Sequence, residues 1–121
     1  MTAKDTIQQG KAVLGIEFGS TRIKAVLIDG DNAPIAQGSH TWENQLENGL
    51  WTYSIKSIWE GVQDCYATLR KDVMDQYGIE LENLAAIGVS AMMHGYMAFN
   101  TAQKILVPFR TWRNTNTGKA A

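Results

Sequence analysis

Gly19, Ser20 and Thr21, with Glu17 two residues before them and Lys24 three residues after, bring together the groups needed to hold a phosphate. A turn of small residues offers free backbone N–H groups, its two hydroxyls add donors, and the ammonium adds positive charge. Glu17 stands where a strand ends and can project into the same space. A carboxylate beside a phosphate-binding turn makes chemical sense when a Mg²⁺ ion lies between them. Apolar residues over 12–16 and 23–28 flank the turn, the pattern of a β-hairpin buried in a sheet. Gly-Ser-Thr turns also occur in hairpins that bind nothing.

A second place for chemistry is Gly88-Val89-Ser90-Ala91-Met92-Met93-His94-Gly95. A strand ends here in a short loop that carries His94, and loops after the carboxyl ends of strands are where α/β folds place ligands. A hydrogen-bonded loop histidine without a ligand fits the residues as well. Other site types lack their residues. There is no Gly-x-Gly-x-x-Gly and no complete Walker A run; Gly118-Lys119-Ala120 lacks both the upstream glycine and the following hydroxyl. His40, His94 and Cys65 have no metal-ligand spacing, which argues against structural zinc.

The elements that must position these groups follow from periodicity. Residues 1–10 are polar and aperiodic and read as a flexible leader, leaving 11–121 as the domain. Strands are expected over 12–18, 22–29 and 34–42, an antiparallel meander with Pro34 tolerated at an edge. Residues 43–53 read as a loop, bracketed by Trp42 and Trp51, one of which is placed at the rim of a ligand cleft. Ser54 then caps a helix. Its apolar stripe runs from Ile55 through Trp59 and Cys65 to Val73, and Gly78 stops it. Trp59 and Cys65 fall on the stripe and are expected in the core. Residues 84–90 form a central strand parallel to the first. Short strands over 96–99 and 105–109 are joined by a hairpin loop. The expected fold class is therefore α/β, an RNase H-like domain half in which a meander, a helix and further strands share one mixed sheet. One helix covers only one face of such a sheet, which normally needs both covered. The chain accordingly reads as an N-terminal fragment, and its open face is expected to drive self-association.

Composition sets the remaining bounds. Of 121 residues, 45% are hydrophobic and 19% charged, ordinary values for one globular domain. A formal charge of −1 gives no nucleic-acid footprint and no membrane-surface patch. A single cysteine excludes an intramolecular disulfide, and residues 1–5 lack an apolar signal core. No apolar run is long enough for a membrane span. A cytoplasmic location is the simple inference.

The run from Gly15 to Asp29 resembles the phosphate-binding hairpin of the FGGY carbohydrate kinases, within the actin, sugar kinase and Hsp70 superfamily (the actin-like ATPase fold). Met93-His94-Gly95 resembles the Gly-Gln-Met-His-Gly segment of xylulokinase-like members, with Ala91-Met92 in place of Gly-Gln. Residues 108–116 resemble the family segment in which an aromatic residue precedes Asn or Arg and then Asp. The three matches occur in the family's order. The resemblance implies transfer of the γ-phosphoryl group of ATP to a sugar hydroxyl, with ATP and Mg²⁺ as cofactors. Gly19, Ser20, Thr21 and Lys24 would bind phosphate and Glu17 the metal. Met93, His94, Trp112, Arg113 and Asn114 would contact the sugar, Trp112 by its flat face and His94, Arg113 and Asn114 through polar groups. A polar helix start fits 114–117 nearly as well. The general base, an Asp in this family, and the adenine pocket lie downstream of the matched segments, so the chain alone is expected to be inactive. Glu17 and Asn114 both replace the family's usual Asp. These departures keep open a non-catalytic nucleotide- or sugar-binding member, and more distantly an actin-like or Hsp70-like ATPase.

Overall fold

The computed structural model describes residues 1–92, 95–107 and 109–111. In place of the loose leader suggested by composition, the chain opens with helix α1, Ala3–Gln8. Its start is a capping box: the Asp5 N–H donates to Thr2 Oγ1 at 3.1 Å and the Thr2 N–H to Asp5 Oδ2 at 3.1 Å. The helix is anchored because Ile7 is buried in the core, an apolar residue too isolated in sequence to form a periodic signal.

The meander follows as β1 (Val13–Phe18), β2 (Arg22–Ile28) and β3 (Pro34–Thr41), with both pairings antiparallel. Asp29 shapes the second turn, its Oδ1 accepting from the N–H groups of Asp31 and Ala33 at 2.9 Å each. The expected loop over 43–53 is instead a small hairpin, β4 (Gln45–Glu47) and β5 (Leu50–Thr52). Asn48 and Gly49 join them with φ of 51° and 78°. Asn-Gly with both φ positive is the hairpin turn that matches strand twist, a signal present in the sequence between runs too short to read as strands.

Helix α2, Ile55–Tyr77, begins at Ser54, whose Oγ accepts from the Ser57 N–H at 3.0 Å, and ends at a left-handed Gly78. It lies across β3 and β2. Cys65, Leu69 and Val73 point into the core with Leu14, Ile23, Ala25 and Leu27. Gly38 permits the contact, since a Cβ there would fall 2.5 Å from both Cys65 O and Leu69 N. The helix also answers the outward backbone of edge strand β3: Gln37 N–H donates to Asp72 Oδ2 at 2.8 Å, and Tyr77 O–H to Ile35 O at 2.6 Å. Trp59 departs from expectation, being 62% exposed. It sits at the margin of the apolar stripe, where the helix surface turns from the sheet to solvent.

Strand β6, Ala86–Ala91, returns parallel to β1, giving the order β3-β2-β1-β6. The parallel pairing is as expected. Among the described residues, however, β6 is an edge, beyond the reach of α2, with Ile87 59% and Val89 67% exposed. The last segments form a separate ladder rather than extending the sheet. β7 (Gly95–Tyr96) pairs with β8 (Arg110–Thr111), and Phe99 bridges Ile105 around a turn held by Asn100. No helix among the described residues is long and apolar enough to cross a membrane.

Candidate functional site

The turn between β1 and β2 forms one end of the site. Phe18 pairs with Ile23 and the Gly19 N–H donates to Arg22 O at 2.9 Å, leaving Ser20 and Thr21 as a two-residue loop. A Cβ on Gly19 would lie 2.9 Å from Arg22 O, so only glycine allows the strands to close this tightly. Two-residue hairpin loops usually place positive φ at the first or both loop positions. Neither Ser20 nor Thr21 has it. The tip therefore takes its shape from partners outside itself. Trp42 Nε1–H donates to Gly19 O at 2.8 Å, Tyr53 O–H donates to Ser20 O, and the Trp42 backbone N–H donates to Thr21 O at 3.1 Å.

Strand alternation sends Leu14, Ile16 and Phe18 toward the α2 side and Val13, Gly15 and Glu17 to the opposite, open face. There Glu17 pairs with Lys24 on β2 and with Ser90 on β6. The register thus gathers an acid, a base and a hydroxyl from three strands beside the tip. Gly15 pairs with Gly88, and nothing stands above the latter, so the floor is bare backbone. Together these residues line an open trough of about 490 Å³. Among the described residues neither Glu17 nor Lys24 forms an ion pair, which leaves both charges available to a ligand.

The donor set suits magnesium held chiefly by a nucleotide. Mg²⁺ keeps several waters and uses one or two protein carboxylates together with substrate phosphates. Glu17 offers one carboxylate with an oxygen reaching toward Gly19, and no cluster of three metal-ligating side chains is found among the described residues.

The expected site residues Gly19, Ser20, Thr21, Glu17 and Lys24 are thus brought together. Met93, His94, Trp112, Arg113 and Asn114 lie outside the described residues. Their neighbours Met92 and Gly95 border a second cavity of about 450 Å³, apolar and walled by Phe18, Ile58, Val89 and Phe109. Trp42 is buried, with its indole N–H spent on the tip. Tyr53 stacks on Trp42 with ring centroids 4.2 Å apart, and Phe109 lies 5.7 Å beyond Tyr53. Tyr53 carried no local signal, because its partner Ser20 is tens of residues away; Ser90 lay in the second segment, but its place beside Glu17 depends on strand register. Cys65 is structural: buried, its thiol donates to Ile23 O at 3.6 Å, and burial and then the neighbouring Asp64 push its pKa up.

The chain is similar to known proteins over most of its length. Residues 12–121 match the model of the N-terminal domain of the FGGY family of carbohydrate kinases. The xylulose kinase of Escherichia coli (strain K12) is 24% identical over 108 residues, 89% of this chain and 21% of that protein. The crystal structure of a xyloylose kinase from Brucella ovis superposes with a TM-score of 0.73 at 21% identity, over 91% of this chain and 22% of that one. Plasmodium falciparum glycerol kinase with ADP gives a TM-score of 0.64 at 13% identity, over 90% and 22%. The described sheet, an antiparallel meander with a parallel fourth strand, is the fold that these structures share over about nine-tenths of this chain. The chain belongs to the FGGY family of carbohydrate kinases and carries its N-terminal domain. It spans about a fifth of the length of the curated relatives it matches.

Proposed function

We propose that this chain is the N-terminal part of an ATP-dependent carbohydrate kinase that transfers the γ-phosphoryl group to a sugar hydroxyl. The observation that carries the reading is the convergence of Glu17 and Lys24 beside the Gly19–Thr21 tip, within a chain of this family. The tip amides and Lys24 receive phosphate oxygens, and Glu17 holds Mg²⁺ directly or through water. Bound magnesium supplies charge neutralisation at the phosphates. Phosphoryl transfer depends mostly on such positioning and electrostatics. Met93, His94, Trp112, Arg113 and Asn114 contact the sugar, with a ketose favoured by Met93-His94-Gly95. An Asp elsewhere in the protein removes the hydroxyl proton. The protein works in the cytoplasm. The 121-residue chain alone does not turn over, and it self-associates through its open sheet face.

Glu17 and Asn114, where the family usually has Asp, favour one second reading: a member that binds nucleotide or sugar without transfer. The test is ADP release from Mg-ATP by the protein that carries this chain, against ketopentoses, ketohexoses and polyols. Release that depends on one sugar establishes the kinase. Release without sugar overturns it in favour of an ATPase. ATP binding without release on any sugar favours the second reading.

A further inference from the structure

We propose that Trp42 and Tyr53 are positioning residues that aim the backbone amides of the hairpin tip at phosphate; this rests on the phosphate-binding reading of that tip. Three successive carbonyls, those of Gly19, Ser20 and Thr21, accept hydrogen bonds from Trp42 Nε1–H, Tyr53 O–H and the Trp42 N–H respectively. In a trans peptide the carbonyl and the following N–H point in opposite directions. Pinning these carbonyls toward the aromatic pair therefore turns the N–H groups of Ser20, Thr21 and Arg22 away from it. Among the described residues the Ser20 and Thr21 N–H groups have no backbone acceptor.

The turn needs this support because its loop residues lack the positive φ that would let it match the strand twist unaided. The donors themselves are held firmly. Both rings are buried and stacked at 4.2 Å, and Phe109 backs Tyr53. A rigid aromatic pair carrying two fixed donors is thus built against an otherwise unsupported turn. Neither ring needs to touch the nucleotide.

Two conservative variants of the protein that carries this chain test the idea. Trp42→Phe keeps a ring but removes the indole donor, and Tyr53→Phe keeps the ring and removes the hydroxyl. Each is expected to raise KM for Mg-ATP about tenfold while leaving KM for the sugar near wild type. Loss of one hydrogen bond should move the thermal midpoint by no more than about 5 °C. Unchanged KM for Mg-ATP in both variants overturns the proposal. So does a fall in all kinetic constants in step with the midpoint, which marks a merely structural role. If the wild type shows no sugar-dependent ADP release, the kinase reading fails first, and the clamp is judged separately. In ¹⁵N-labelled protein titrated with pyrophosphate, the Ser20 and Thr21 amide signals should shift in wild type and shift much less in both variants. Equal shifts in all three proteins, or none in wild type, overturn the clamp.

Discussion

At the scale of single residues, the site depends on where a Cβ cannot go and where a proton cannot leave. Gly19 is required by a backbone oxygen 2.9 Å from the missing Cβ, not by an unusual φ. Gly19→Ala must displace Arg22 O or open the turn, at a cost of about 1–3 kcal/mol for overpacking. The expected result is a drop of at least about tenfold in kcat/KM for Mg-ATP, roughly 1.4 kcal/mol, with the sugar dependence retained; steady-state kinetics on the kinase checks it. A buried thiol and a half-buried phenol set the alkaline behaviour. Burial, before any neighbouring charge, raises the pKa of both Cys65 and Tyr77. The unfolded chain therefore releases these protons first. Their contribution is intact below the unfolded pKa values and is lost as pH rises toward the folded ones. Thermal midpoints should hold to about pH 8.5 and then fall. Cys65→Ala should lessen the relative loss between about pH 8.5 and 10, a comparison that pH-dependent calorimetry makes directly.

At the scale of elements, the decisive contact is α2 on β3 and β2. Its closeness rests on Gly38, whose absent side chain lets the backbones of β3 and α2 meet. Gly38→Ala should push the helix outward and lower stability by about 1–3 kcal/mol or more, a fall in the thermal midpoint of roughly 4 °C per kcal/mol. Leu69→Ala, at a fully buried position opposite, should cost about 2–5 kcal/mol through the cavity it leaves. Denaturant unfolding of both variants, with unchanged slopes, checks these values. The helix also acts on the hairpin tip indirectly. By holding β3 in place it sets the height of Trp42, one residue past the strand, and so the support of the Gly19–Thr21 turn.

At the scale of the whole molecule, the sheet has one face and one edge without cover among the described residues. On that face Val13, Val26 and Ile28 surround Glu17, Lys24 and Ser90, while β6 presents Ile87 and Val89 on the other side. Apolar surface of this kind drives association. The isolated 121-residue chain is expected to run as a dimer or larger species in light scattering, and a monomeric mass at micromolar concentration would contradict this. The same chain should release no ADP from Mg-ATP with any sugar. A coupled ADP assay that finds turnover would show that the expected downstream base is unnecessary.

What the amino-acid order determined by itself was local. Alternating apolar runs around Gly19-Ser20-Thr21 specified the hairpin, and a 3.6-residue stripe between Ser54 and Gly78 specified the long helix. The distance from Glu17 to the turn specified a charged tip. Each depends on neighbours a few residues apart, so periodicity and turn chemistry carry it. The Asn48-Gly49 hairpin was equally local, yet its strands of three residues are too short for alternation to register. Only the tertiary structure decided the rest. Strand register set Glu17 beside both Lys24 and Ser90, and the reach of α2 left Trp59 outside the core. Trp42 and Tyr53 meet the turn only because β3 and the segment before α2 converge on it. Their hydrogen bonds join residues 23 and 33 apart, and no spacing rule reads a contact that arises from packing two elements against a third.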